Sequence, residues 1–255
     1  AYEICACLVG SEMCIRERPP VTRNLIIINV LIWVLEFIPG FEHMLMRRLA
    51  LHFWGAEVFN PVQFITYAFI HDPGNPLHVG FNMFTLWMFG RLMEQVWGSR
   101  RFLIFYFVCA VGAALMQELV WQFTWVNELA ELNKMPAGQM SALLDQWHQQ
   151  DPAALAAQLN MFKAQLLCVG ASGAIFGVLL GFAFVFPNLP LYLFFIPIPI
   201  KAKYMVIGYA VLEFFLGVSG GGTVAHFAHL GGMIFALPML LWWMHNGTLR
   251  GRKFW

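Results

Sequence analysis

Several long stretches of this chain contain almost no charged residue. Charged residues make up 11% of the 255 residues, and hydrophobic residues make up 60%, whereas a typical soluble domain carries roughly 25% charge. Too few polar side chains remain to cover a water-soluble globule, and the same figures exclude intrinsic disorder. A formal net charge of +1 without a basic block argues against a nucleic-acid partner. The composition therefore predicts a helical protein that crosses a membrane several times.

Charged residues, prolines and glycines divide the apolar sequence into six predicted spans. These are residues 24–40, 73–90, 102–125, 165–186, 204–218 and 223–244. Several are shorter than the ~20 residues that a lone helix needs to cross hydrocarbon. A bundle tolerates short helices because neighbouring helices and water satisfy the backbone.

The distribution of positive charge predicts the orientation of the bundle. With six spans and both termini in the cytoplasm, only Arg47, Arg48, Lys134 and Lys163 of the 15 Lys and Arg residues face outward, as the positive-inside rule requires. The sequence thus predicts an all-α membrane protein, a six-transmembrane-helix bundle with both termini cytoplasmic. We expect it to be a multi-pass protein of a lipid bilayer, the bacterial inner (cytoplasmic) membrane.

Three regions lie outside the predicted spans and their short connections. Residues 1–17 show no periodicity and partly resemble translated adapter sequence, so we predict a non-native extension and assign no role to its cysteines. A six-helix membrane domain would occupy residues 18–245, followed by a basic cytoplasmic tail at 246–255. Within this domain, residues 41–72 read as short interfacial helices, and residues 126–160 as a polar helical insert outside the cytoplasm. Asp151 and Pro152 fit the N-cap and first turn of a helix there.

Polar residues inside apolar spans are costly and are therefore functional candidates. They are His78, Asn82, Ser172, Glu213, His226 and His229. Ser172 lies between Gly170 and Gly173, where a loop enters a helix. The glycines would let a carbonyl approach the hydroxyl, and the helix start offers free N–H groups to an oxyanion. Serine is also common at membrane helix interfaces, so this motif alone is weak.

Small residues predict that the fourth and sixth spans pack closely. Gly173, Gly177 and Gly181 form a ridge with a spacing of four. The sixth span has a matching small face at Ala225, Ala228, Gly232 and Ala236. If these faces meet, His229 lies beside Ser172 and can act as its general base.

His78 and Asn82 are four residues apart, so they share a helix face. Directed at the Ser172 site, both could donate hydrogen bonds to a tetrahedral intermediate, together with the Ser172 amide.

Three motifs on alternate spans resemble those of the rhomboid intramembrane serine proteases: His78-Val-Gly-Phe-Asn82, Gly170-Ala-Ser-Gly173 and Ala228-His-Leu-Gly-Gly232. Gly90-Arg91 with Glu94, and residues 98–102, match as well. The resemblance covers roughly residues 23–243. It implies Ser172 as nucleophile, His229 as base, and an oxyanion site of His78, Asn82 and the Ser172 amide.

The resemblance further implies a water-filled cavity that opens to the outer face, with Phe176, Gly170, Gly173 and His226 beside the nucleophile and base. It implies single-span membrane proteins as substrates, no cofactor and no metal. It also implies a catalytic dyad without an acid, and no Asp or Glu occurs in the sixth span. Glu213, in the fifth span, is then either a structural group or a cavity residue, and we prefer the structural role.

Two positions depart from the family pattern or complicate it. Phe176 stands where many relatives carry a tyrosine that stacks on the histidine, so the aromatic face is kept and the hydroxyl is lost. His226 lies three residues before His229 on nearly the same face. We prefer His229 as the base because the Ala-His-x-x-Gly pattern surrounds it.

Other functions remain open at this point. The chain could be a proteolytically inactive rhomboid-like scaffold or chaperone that binds transmembrane helices. A metal site at His226 and His229 is disfavoured because the sequence offers no nearby Asp or Glu as a third ligand. A transporter is disfavoured by the lack of an inverted repeat. The oligomeric state is not predicted.

Overall fold

The computed structural model describes residues 19–193, 196–219 and 225–247, and these are mainly helical. The helices are α1 (Pro20–Leu35), α2 (Phe41–Leu49), α3 (Gln63–Thr66), α4 (Pro76–Thr85), α5 (Arg91–Trp97), α6 (Ser99–Leu132), α7 (Ala137–Gln150), α8 (Pro152–Lys163), α9 (Ser172–Val185), α10 (Ala202–Val218) and α11 (His226–His245). A 3-10 turn (Tyr67–Phe69) follows α3, and a π-helical turn (Leu86–Gly90) joins α4 to α5. The predicted helical architecture is confirmed.

Some predicted segments lie outside the described residues. They are the extension at 1–17 with Cys5, Cys7 and Cys14, the first two residues of the sixth span, and most of the basic tail, residues 248–255.

Two short antiparallel strand pairs were not predicted. Strand β1 (Leu51–His52) pairs with β2 (Leu167–Cys168), and β3 (Pro190–Leu193) pairs with β4 (Ile196–Lys201). The first pair corrects the predicted start of the fourth span at residue 165, because residues 167–168 are extended. Helix α9 starts only at Ser172, after Gly170 adopts a φ of 115° that a helix does not allow.

Large apolar side chains cover the outside of the helices. On α1, Ile27, Leu31 and Val34 are about half exposed, and α10 exposes many more. Soluble monomers rarely expose apolar surface on this scale. Among the described helices, α6 and α11 are long and apolar enough to cross a membrane, and α1 and α9 are shorter apolar helices. These features indicate an integral membrane protein.

Helices α6, α9 and α11 meet at the centre of the molecule through small residues. A methyl group on Gly232 of α11 would overlap the carbonyl group of Gly173 on α9. A methyl group on Gly177 would overlap the buried Cys109 side chain of α6. The predicted contact between the fourth and sixth spans is thus present. Gly181 differs, since it faces the Trp97 and Phe105 rings instead.

A buried glutamate on α5, Glu94, connects this helix to α1. Glu94 accepts hydrogen bonds from the Val21 and Thr22 backbone N–H groups at 2.9 and 2.7 Å, and from the Thr22 and Ser99 hydroxyls, each at 2.7 Å. The first N–H groups of a helix have no partner within the helix. Glu94 therefore caps α1 and ties it to the first turn of α6.

The segments predicted to lie outside the spans, residues 41–72 and 126–160, are connected to α6 or form helices of their own. Glu118, which is fully buried in α6, accepts the Trp54 backbone N–H at 2.8 Å. The residues of the predicted insert form the last part of α6 and helices α7 and α8. Asp151 caps α8 as predicted, since its Oδ1 accepts the Ala154 N–H at 3.0 Å.

Candidate active site

Ser172 is the first residue of α9, and the loop before it contains Gly170, whose φ of 115° is readily adopted only by glycine. The Gly170 N–H donates to the Tyr67 carbonyl at 3.0 Å, and the Tyr67 hydroxyl donates to the Ala110 carbonyl at 2.7 Å. The 3-10 turn therefore anchors this loop to α6. Because Ser172 begins the helix, its own N–H and the next one have no partner one turn earlier in the helix.

His229 reaches Ser172 across the close contact between α9 and α11. Its Nε2 lies 2.8 Å from Ser172 Oγ, and only 8% of the residue is exposed. Phe176, one turn after Ser172, stacks on the imidazole with the ring centroids 4.3 Å apart and the planes within 6°. The helix crossing and this stack together hold the imidazole against the hydroxyl.

His78 and Asn82 converge on the loop that carries the serine. A methyl carbon built on Gly170 would lie 2.7 Å from His78 Nε2 and 3.6 Å from Asn82 Nδ2. Both side chains therefore face the backbone two residues before Ser172. Both side chains thus approach the short loop that leads into α9.

His71 is a site residue that the sequence analysis missed. It is fully buried, and its Nε2 lies 3.0 Å from Asn82 Nδ2. Burial, with a smaller contribution from nearby His78, lowers the pKa of His71 to about 3. The ring is thus neutral at physiological pH, and its Nε2 accepts a hydrogen bond from the Asn82 amide. This bond fixes the direction of the second amide hydrogen. His71 falls in the irregular connection before α4, where no periodicity singles it out.

The site also contains an acid. Glu213 Oε2, from α10, lies 2.7 Å from His226 Nδ1 and 3.0 Å from His229 Nδ1. As the sequence shows, α11 supplies no acid, but Glu213 on the neighbouring helix α10 lies beside His229. His226 makes its contact with Glu213, whereas His229 contacts Ser172, as the sequence pattern favoured.

Glu213, His226 and His229 could also hold a metal ion, because their ligand atoms lie within 4.8 Å of one another. The argument that no carboxylate is near enough to be a third ligand is therefore wrong. The spacing nevertheless favours hydrogen bonding. Nitrogen ligands 2.0–2.1 Å from a tetrahedral zinc ion lie about 3.3 Å apart, whereas the carboxylate oxygen lies 2.7 and 3.0 Å from the two nitrogens. These distances are typical of hydrogen-bonded groups.

Comparison with known proteins identifies the family. The rhomboid domain family model matches residues 57–126 and 137–245, which is more than half of the chain, so the chain belongs to the rhomboid family. It is also similar to "Rhomboid protein 1, mitochondrial" of Saccharomyces cerevisiae, with 25% identity over 262 residues. That alignment covers 96% of this chain and 62% of the yeast protein. The yeast relative is named as a mitochondrial protein, so the comparison gives no support to a bacterial inner membrane.

Proposed function

We propose that this member of the rhomboid family is a serine endopeptidase that cleaves transmembrane segments of other membrane proteins. The observation that carries the proposal is the 2.8 Å contact between His229 Nε2 and Ser172 Oγ. It occurs at a helix start, beside a glycine loop and two further hydrogen-bond donors. A serine that served only helix packing would need none of these neighbours.

In the proposed reaction, His229 acts first as a general base. It removes the Ser172 proton while Oγ attacks the scissile carbonyl, and it then returns a proton to the leaving amine. The resulting acyl-enzyme is hydrolysed by water, which His229 activates in the same way. No cofactor takes part in these steps.

The negative charge that develops on the substrate oxygen would be stabilised by the Ser172 N–H, His78 and Asn82. Fixed donors in a site with little water stabilise this charge without reorganisation. Removing one such donor typically costs about 3 kcal/mol of transition-state stabilisation. His71 would support this function by holding the Asn82 amide.

The proposed topology has six spans and both termini in the cytoplasm. In that frame, α9 and α11 both begin at the outer face, so Ser172 and His229 lie near the outer ends of their helices. Cleavage would then occur near the outer face, where water can reach the acyl-enzyme. The proposed substrates are single-span proteins with small residues at the cleavage point. Glycine or proline beyond that point would weaken the substrate helix and expose its backbone.

A fluorophosphonate probe tests the proposal on the full chain in detergent. The wild type should label covalently, and Ser172→Ala and His229→Ala should not. Ser141→Ala is the matched control, because Ser141 is exposed on α7 and its hydroxyl bonds only the Ala137 carbonyl among the described groups. It should label as the wild type does.

Cleavage of a single-span test protein should follow the same pattern as labelling. A wild type that neither labels nor cleaves would overturn the proposal. If that protein still bound the test helix, the inactive scaffold or chaperone would be the better description.

A further inference from the structure

Glu213 contacts the proposed base on the side opposite to the nucleophile. Its Oε2 lies 3.0 Å from His229 Nδ1, while His229 Nε2 lies 2.8 Å from Ser172 Oγ. The order of groups is carboxylate, imidazole, hydroxyl. The Glu213 and His229 side chains are 13% and 10% exposed, so little water screens the contact.

A carboxylate in this place selects the tautomer that catalysis needs. Neutral imidazole carries one proton, and an ionised carboxylate can only accept hydrogen bonds. Next to Glu213, the proton of His229 is favoured on Nδ1. That leaves the Nε2 lone pair free to accept the Ser172 proton, and the carboxylate then stabilises the imidazolium that forms.

His226 holds the same carboxylate oxygen in place. Its Nδ1 makes the shorter contact, at 2.7 Å, whereas His229 Nδ1 lies at 3.0 Å without a well-aligned hydrogen bond. Catalytic hydrogen bonds are often poorly aligned before the substrate binds, and tighten in the complex. The carboxylate oxygen is already at hydrogen-bond distance from Nδ1, so alignment requires a rotation of the imidazole and no movement of α10 toward α11.

We propose that Glu213 is a positioning residue that completes a Ser172–His229–Glu213 triad in this protein. The inference rests on the proposed peptidase function and departs from the acid-free dyad that the family resemblance implies. Glu213 acts through His229 and does not touch the substrate. The other titratable groups close to His229 among the described residues are His226 on α11 and His78 on α4.

Kinetics of Glu213 variants test the proposal with the full chain in detergent. Glu213→Gln keeps the shape and removes the charge. It should lower kcat about 10- to 100-fold, less than the ~10⁴-fold loss where a fully aligned acid is neutralised, and leave KM within about twofold. Glu213→Asp should recover part of the loss.

Glu94→Gln is the matched control for burial. Glu94 is as well buried as a control requires, with 3% of the residue exposed. Its position is distant from the site, because Trp97, one turn after Glu94, contacts Gly181, which is about two and a half turns along α9 from Ser172. Glu94→Gln should lower thermal stability without changing kcat of the folded fraction. A Glu213→Gln enzyme that matches an active wild type, or that loses activity only in proportion to lost folded protein, would overturn the triad.

A measurement without turnover separates this inference from the proposed function. In protein with ¹⁵N-labelled histidine rings, His229 is assigned by comparison with His229→Ala. The wild type should show the Nδ1–H tautomer, and Glu213→Gln should show a mixture. An Nε2–H tautomer in the wild type would refute the triad, whether or not the protein cleaves. If the wild type shows the Nδ1–H tautomer but never cleaves, the arrangement of Glu213, His229 and Ser172 stands and the proposed peptidase function is refuted.

Discussion

Replacing Gly232 with alanine should separate the proposed nucleophile from its base. Gly232 lies on the face of α11 that carries His229, one turn further along the helix, and it packs directly on the backbone of Gly173, the residue after Ser172. Backbone cannot rotate away from an added methyl group as a flexible side chain can. The two helices must therefore move apart.

The size of that movement follows from the contact. A methyl carbon on Gly232 would lie 2.7 Å from the Gly173 carbonyl carbon, whereas unstrained carbon contacts lie at about 3.5–4.0 Å. Relief thus needs a displacement on the order of 1 Å. The 2.8 Å contact between Ser172 Oγ and His229 Nε2 would lengthen to about 3.8 Å, beyond hydrogen-bond range. Misplacement of this size can cost about 100-fold in rate, and overpacking costs about 1–3 kcal/mol of stability.

The assay is the rate of fluorophosphonate labelling, with the melting temperature of the same sample. Gly208→Ala is the matched control, because Gly208 is an exposed helical glycine on α10 with nothing within 4 Å of an added methyl group. It should keep the labelling rate and gain slightly in helix stability. If Gly232→Ala labelled and melted as the wild type does, the close helix contact would not be what brings Ser172 and His229 together.

Three further changes have outcomes that the structure sets. Phe176→Ala removes the ring stacked on His229 at 4.3 Å and should lower kcat about fivefold, as expected for a lost aromatic contact of about 1 kcal/mol, while Phe176→Tyr stays near the wild type in the same cleavage assay. His71→Leu removes the acceptor of the Asn82 amide and should also lower kcat about 10-fold. Because burial lowers the pKa of His71 to about 3, from an unfolded value of 6.5, the unfolded chain binds more protons between these values. The unfolding free energy of the wild type should thus fall as the pH drops from 6.5 toward 3, and His71→Leu should flatten that slope in denaturation measured across pH. Glu94→Ala leaves two buried and two partly buried donors without their acceptor and should cost about 2–4 kcal/mol, seen as a lower melting temperature.

Much of the architecture follows from local sequence signals. Long apolar runs require helices in lipid, since no other open structure satisfies the backbone there. The contact between α9 and α11 follows from small residues at a spacing of four, and it places Ser172 opposite His229. The family could be identified from the sequence because three motifs occur in a fixed order on alternate spans.

The features that the sequence did not reveal depend on distant partners. Strand β1 pairs Leu51 with Cys168, and a two-residue strand has no periodicity to detect. The β3–β4 hairpin pairs Tyr192 with Pro199, in a connector whose prolines argued against regular structure. His71 acquires its role only through Asn82, across an irregular connection. In each case the partner, and not the local sequence, determines the conformation.

Glu213 is different, because a signal for it was present. Two antiparallel helices joined by a short turn bring to the same height residues that are equally far from the turn. In the sequence, the glycine-rich residues 219–222 separate the predicted fifth and sixth spans, and Glu213 and His229 are equally distant along the chain from residue 221. From the sequence, Glu213 is a candidate in the fifth span with a preferred structural role, and the sixth span contains no acid. Counting back through the turn would have placed a carboxylate beside the imidazole, and burying a carboxylate in an apolar helix is expensive unless it has such partners.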